Sequence, residues 1–287
     1  MTSVRDLLRA GPDGSPLLPR IDPAGHPGIG TKRDAVRALE AAAERLADLQ
    51  ERLYAQHARS VLLVLQGMDT SGKGGTIKHV FRGVNPAGVS VAAFKQPTED
   101  ELAHHFLWRI ERRLPTRGHI AIFDRSHYED VVVVRVHELV PQAVWRGRYD
   151  EIVEWERAVS ESGTAIVKCY LHLSYEEQRE RLLARLGDPD KHWKFNETDL
   201  QERLRWPEYQ AAYEDAIARC HTDEAPWYIV PADRKWYRNW AVERLVMETL
   251  EEMDPRFPRP PLDVPALTAS LASPTSLAPP TRLAQRG

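Results

Sequence analysis

"LLVLQGMDTSGKGGTIKHVF" (residues 62–81) runs from an apolar stretch through a glycine-rich turn into a helical pattern. A Walker A loop reads G-x-x-x-x-G-K-[ST], its backbone N–H groups facing the phosphates and its last hydroxyl serving a magnesium ion. Gly67, Gly72 and Lys73 stand where that pattern needs them, but position 74 is glycine and an acid, Asp69, lies inside the loop. The junction suits a phosphate because loop amides and the following helix N-terminus carry partial positive charge. Lys73 adds a full one. Gly67, Thr70, Ser71, Gly72, Gly74, Gly75 and Thr76 are therefore expected to line a phosphoryl group. Without a hydroxyl at 74, Asp69 is the candidate oxygen ligand for the metal, since magnesium usually takes one or two carboxylates and keeps several waters. Thr70, Ser71 and Thr76 are the available hydroxyls. The competing reading of Asp69 is a turn-former bonded to its own backbone.

On either side of the loop, apolar runs alternate with helical patterns. Strands are expected at 60–67, 88–94, 119–126, 164–174 and 226–233. Helices are expected at 71–82, 98–114, 128–139, 175–186 and 198–220, with a last one after the fifth strand. Thr98 with Glu101 and Ser174 with Glu177 have capping-box spacing. This alternation predicts a parallel sheet covered on both faces, an α/β fold of three layers. Before it, Leu39, Leu46 and Leu53 recur every seven residues with Ala42 and Leu49 between them, one apolar stripe on a helix over 32–57. Residues 1–31, rich in Pro and Gly, read as an extended arm, and 254–287, rich in Pro, Ala and Ser, as a disordered tail.

The third strand pattern, in "HIAIFDRSHYED" (119–130), ends on Asp124. Open α/β sheets bind ligands outside the carboxyl ends of their strands, so Asp124 should face the glycine loop as a second metal acid. Alone, it would equally well cap the next helix. Arg125 beside it is placed to neutralise a transferred phosphoryl group. A cationic group follows the fourth strand: Arg179, Arg181, Arg185, Lys191 and Lys194 in "EEQRERLLARLGDPDKHWKF" (176–195), where acids are as frequent and a solvated, ion-paired helix is the competing reading. The adjacent His104 and His105 point different ways on a helix and make no metal site. Trp193, Trp206, Tyr209, Tyr213, Trp227, Trp236 and Trp240 read as packing residues.

The chain of 287 residues carries a net charge of −3 and two cysteines. The balance is that of a soluble globular protein, it argues against a general nucleic-acid binder, and the thiols fit a reducing cytoplasm. No run is long enough to span a membrane.

Several blocks in order resemble the polyphosphate kinase 2 family: "LQGMDTSGKGGTIKHVFRGVNPAGV", "FKQPTEDEL", "FDRSHYEDVVVVRVH", "LHLSYEEQRERLLARLGDPDKHWKF", "DLQERLRWPEYQAAYEDAI" and "APWYIVPADRKWYRNWAV". The likeness spans roughly 34–252. It implies a P-loop kinase fold with a parallel five-stranded sheet over 32–253, a helical lid at about 175–205, and Mg²⁺- or Mn²⁺-dependent phosphoryl transfer between inorganic polyphosphate and nucleoside mono- or diphosphates. Asp69, Asp124, Lys73 and Arg125 match the family's acids, loop lysine and following arginine. Arg181, Arg185, Lys191 and Lys194 match basic lid positions, and Lys95, Pro97, Thr98, Tyr128 and Glu129 would lie nearer the acceptor nucleotide. "FDRSHYED" with "GVNPAGV" is similar to class III, whose members phosphorylate AMP and ADP; guanosine nucleotides are expected too. The resemblance also implies a homodimer or homotetramer, with Leu39–Leu53 as one candidate contact. From the residues alone, an ATP-dependent nucleotide or metabolite kinase stays open, as does a phosphate-binding scaffold without turnover.

Overall fold

The computed structural model describes residues 2–11 and 18–272. Five strands form one parallel sheet: β1 (Ser60–Gln66), β2 (Val89–Ala93), β3 (Ile120–Asp124), β4 (Thr164–His172) and β5 (Trp227–Pro231), in the spatial order β2-β3-β1-β4-β5. All of β1 is buried. Its side chains alternate between two cores, as a pleat requires. Val61, Leu63 and Leu65 enter one core, and Leu62 and Val64 the other. Burial on both faces explains why the strand reads as an unbroken apolar run rather than an alternating one.

The helices, in chain order, are α1 (Val4–Leu8), α2 (Lys32–Gln56), α3 (Lys73–Val80), α4 (Glu99–Leu102), α5 (Trp108–Glu111), α6 (Glu129–Val136), α7 (Gln142–Glu161), α8 (Tyr175–Leu186), α9 (Thr198–Leu204), α10 (Trp206–Cys220) and α11 (Lys235–Met253). On one face lie α1, α2, α3 and α11; on the other α6, α7 and α10. The stripe on α2 buries Leu46, Leu49 and Leu53 against this chain's own core, packed on α11. Those three leucines are therefore spent inside the subunit rather than offered to another. No helix among the described residues is long and apolar enough to cross a membrane.

Several boundaries differ from the sequence pattern. The helix expected over 98–114 is two short pieces, α4 and α5, the first closed by a complete capping box of Thr98 and Glu101. The helix expected over 198–220 divides at Arg205, where Pro207 in the first turn of α10 cannot continue the α9 hydrogen-bond ladder. Ser174 caps α8, but Glu177 turns to Arg181 (2.7 Å) and Asp233 accepts from the Ser174 N–H instead (2.8 Å). The arm is not simply extended. It forms α1, whose first N–H groups donate to the Glu248 carboxylate (3.1 and 3.0 Å), and Ala10 N–H then donates to Trp227 O at the β5 edge (2.9 Å).

The chain divides into a compact unit, Met1–Arg256, and a second, Phe257–Gly287. The second, expected to lack structure, contains a helix, α12 (Val264–Ala272); residues 273–287 of that expected tail lie outside the described ones.

Candidate active site

Strand order reverses about β1, with β2 and β3 on one side and β4 and β5 on the other, and the glycine loop leaves its carboxyl end at that point. The loop turns through Gly67 (φ +145°), Thr70 (φ +67°) and Gly72 (φ +100°) before Lys73 opens α3. A Cβ on Gly67 would lie 2.8 Å from Leu171 O, and one on Gly72 only 1.8 Å from Arg238 Nη1, so both positions need glycine. Gly74 is different. A Cβ there meets nothing within 4 Å, so sterics do not exclude the missing hydroxyl.

The loop's carbonyls are held from behind. Gln178 Nε2 donates to Asp69 O (3.1 Å), Arg181 Nη1 to Thr70 O (2.9 Å) and Ser71 O (3.2 Å), and Arg238 Nη1 to Ser71 O (2.9 Å). Arg181 also donates to Ala232 O and Asp233 O (2.6 and 2.9 Å). Expected among the cations gripping a phosphate chain, it is a buried brace whose Nη donors end on carbonyls and whose Nε is on the Glu177 carboxylate. The Ser71 N–H donates to Met68 O (3.0 Å) within the loop; with the carbonyls turned back, other loop amides can serve a ligand in front. Thr76 Oγ1 reaches Asn239 Oδ1 (3.5 Å), whereas Thr70 Oγ1 and Ser71 Oγ are buried without a partner. Such orphaned hydroxyls are costly unless something binds them.

Asp69, Lys73, Asp124, Arg125 and Glu129 come together in front of the loop. Lys73 Nζ donates to Gly67 O (2.8 Å), and Arg125 Nη2 lies 2.5 Å from Asp69 Oδ1 with Nη1 3.9 Å from Glu129 Oε2. Burial and the nearby Arg125 lower the affinity of Lys73 for its proton, against the pull of Asp69, Asp124 and Glu129. Burial works against the Asp69 carboxylate too, but Arg125 and Lys73 outweigh it and hold the group below the usual carboxylate range. Burial wins at Glu129, whose carboxyl is raised despite Arg125 and Lys73. Among the described residues no three His, Cys, Asp or Glu side chains gather into a self-sufficient metal cage. Two carboxylates, with Thr70 and Ser71 hydroxyls nearby, suit a hard cation that draws its other oxygens from water and phosphate.

The expected nucleotide residues do not stay together. Tyr128 is fully buried, its hydroxyl donating to Glu156 Oε1 (2.9 Å) and accepting from Lys168 Nζ (3.0 Å), so it does not face a nucleotide. The Thr98 hydroxyl is taken by the α4 cap, Pro97 is half-buried, and Lys95 has an exposed side chain with its carbonyl bonded to Arg109 Nη1 (2.8 Å). Trp193, read as a packing residue, is 78% exposed.

A cavity of about 800 Å³ opens beside the loop. Arg181, Arg185, Lys191 and Lys194 line it, joined by His79 of α3, Arg82 just after that helix, and Lys235 and Arg238 of α11, which the sequence reading missed. Lys235 and Arg238 stand three residues apart just past the carboxyl end of β5, which is the signal that would have found them. Burial, with Arg181 nearby, brings the Arg238 guanidinium down to about 10. Its apolar lining includes Val36, Leu39, Ala43, Leu46 and Val80, and it also borders Glu243, 2% exposed with neither carboxylate oxygen hydrogen-bonded. Burial outweighs Arg244 and, helped by Glu251 and Glu248, pushes the Glu243 carboxyl from 4.5 up to about 7. The folded chain thus holds a proton there that the unfolded chain releases above about pH 4.5. Stability from this group is complete below that pH and is lost as pH rises through about 7, a change of about 3 kcal/mol. Urea unfolding at pH 5.5 and 8.5 should show a smaller loss for Glu243→Gln than for wild type; equal losses would refute the assignment.

The sequence model described as polyphosphate kinase 2 matches residues 30–258. The chain is 51% identical over 253 residues to the AMP/ADP-polyphosphate phosphotransferase of Meiothermus ruber, covering 88% of this chain and 95% of that one. It is 45% identical to the ADP-polyphosphate phosphotransferase of Rhodopseudomonas palustris, over 77% of this chain and 80% of the other. The crystal structure of polyphosphate kinase 2 from Arthrobacter aurescens TC1 superposes with a TM-score of 0.91 at 43% identity, covering 94% of this chain and 96% of that one. A match across most of the chain, in both sequence and fold, makes this protein a member of the polyphosphate kinase 2 family.

Proposed function

We propose that the chain is a polyphosphate:nucleotide phosphotransferase, moving a terminal phosphoryl group between inorganic polyphosphate and AMP or ADP, and guanosine nucleotides as well. The observation that carries this reading is the cavity beside the loop, which gathers Arg185, Lys191, Lys194, Lys235, Arg82 and His79 around a volume of about 800 Å³, far more than one phosphate fills. A chain with about one negative charge per phosphate requires such a corridor. The names of the relatives favour the same donor over ATP.

In this reading the loop amides, the Thr70 and Ser71 hydroxyls and Lys73 bind the transferred phosphoryl group. Asp69 and Asp124 hold Mg²⁺ or Mn²⁺, which supplies charge neutralisation on the phosphoryl oxygens. Arg125 takes part of the charge that spreads over them during transfer. Lys95, Pro97 and Glu129 lie toward the acceptor. The acceptor's terminal phosphate oxygen is already ionised at neutral pH, so no side-chain base is required. Two free, buried thiols, Cys169 and Cys220, favour a cytoplasmic setting, where we place a homo-oligomer.

Incubation of AMP, ADP, GMP or GDP with polyphosphate and Mg²⁺ should yield nucleoside triphosphates. Absence of product from all four acceptors, together with ATP-dependent kinase activity, would overturn the polyphosphate reading.

A further inference from the structure

Both site cations sit on protein oxygens: Lys73 Nζ on the Gly67 carbonyl at 2.8 Å, Arg125 Nη2 on the Asp69 carboxylate at 2.5 Å. Only the second occupies an oxygen assigned to the metal. The Asp69 carbonyl is held by Gln178, so its side chain is the part able to change partners. Arg125 is held by its backbone, at φ +67° with its N–H on Leu65 O (3.0 Å), which keeps the guanidinium stem over the loop. Glu129, 3.9 Å from the other Nη, offers a second acid that retains the guanidinium after Asp69 is released.

We propose that Arg125 is a latch on the metal-binding acid: in the substrate-free protein it occupies Asp69, and a divalent cation binds well only in company with a phosphate chain that draws the guanidinium away. The proposal rests on the assignment of Asp69 as a metal ligand made above. The chemistry is an exchange of ionic partners. Guanidinium and a divalent cation compete for one carboxylate, whereas guanidinium and phosphate form forked, charge-assisted hydrogen bonds. With five N–H donors, Arg125 has enough to serve phosphate while Glu129 still accepts. The latch makes binding ordered: polyphosphate and metal arrive together, and metal alone is held weakly.

Mn²⁺ alone, titrated into the substrate-free protein and followed by the paramagnetic resonance signal of the free ion, tests this without turnover. Arg125→Ala and Arg125→Gln should each bind Mn²⁺ at least tenfold more tightly than wild type. Lys73→Met removes a positive charge without freeing Asp69 and so measures the through-space contribution; its gain should be clearly smaller. In the Arg125→Ala background, Asp69→Asn should abolish the gain. The latch is overturned if neither Arg125 variant binds more tightly, or if Lys73→Met gains as much, while Asp69→Asn still weakens Mn²⁺ binding. If Asp69→Asn leaves Mn²⁺ affinity unchanged in both backgrounds, Asp69 is no ligand, and the metal assignment falls along with the latch.

Discussion

Lys73→Met is expected to lower kcat by about 10²–10³-fold, the loss usual when one preorganised charge is removed from a developing oxyanion. The fold should survive. Lys73 is buried, but its methylenes are replaced by a side chain of similar length, and the structural loss is one hydrogen bond to Gly67 O. Leaving that carbonyl unpaired costs about 1–3 kcal/mol, within what a well-packed domain tolerates. Steady-state turnover with ADP and polyphosphate, beside a urea unfolding curve, separates the two effects. Activity near wild type would remove Lys73 from the chemistry. Lost activity with a collapsed unfolding midpoint would make it a structural residue.

A second large effect is expected far from the loop. Lys168 and Glu156 are fully buried, with Nζ 2.5 Å from Oε2, and Lys168 also donates to Cys220 O (2.6 Å) and the Tyr128 hydroxyl. His127 Nε2 completes the cluster 3.1 Å from Glu156 Oε1, and burial lowers its affinity for a proton, outweighing the pull of Glu156. Lys168→Met therefore leaves an ionised carboxylate in the core with a neutral imidazole and a phenol as its remaining partners. The expected loss is about 3–5 kcal/mol, typical of removing one partner from a buried pair. Lys168→Met with Glu156→Gln removes both charges and should recover part of that loss. If the double variant were no more stable than the single one, the stranded carboxylate would not be the cause. Because His127 and Tyr128 belong to the turn that carries Arg125, the single variant should also weaken nucleotide turnover.

How much of this was legible in the sequence depended on how local each feature is. Strands β1, β3, β4 and β5 could be read because burial on both faces makes each an apolar run bounded by polar residues, β2 from its small and β-branched residues although none of them is buried, and the loop because its glycines and lysine lie close together. The α2 stripe was legible for the same reason. The break at Pro207 was missed although the residue was in view, because the flanking residues keep a helical period. Helix α7 was overlooked despite Trp145, Tyr149, Ile152 and Val159 at helical spacing. The roles of Arg181 and Tyr128 were beyond reach. A basic residue in a helical pattern does not reveal that its Nη donors end on carbonyls from two different loops, nor does a tyrosine beside a site acid reveal that it points into the core. Both depend on contacts between elements more than 25 residues apart in the chain.

The bonds that Gln178 and Arg181 make to the loop limit where this enzyme is able to move. The first half of α8 is stitched to the peptide groups of Asp69, Thr70, Ser71, Ala232 and Asp233. A swing of the whole helix would tear out five hydrogen bonds, two of them charge-assisted on the loop itself, and would deform that loop. If a lid closes over the loop, its hinge is expected further along, past Gly187, with the segment that carries Lys191, Trp193 and Lys194 as the moving piece. Such a closure would be a short cuff folding over a fixed rim, with the loop held in one shape by the bonds behind it.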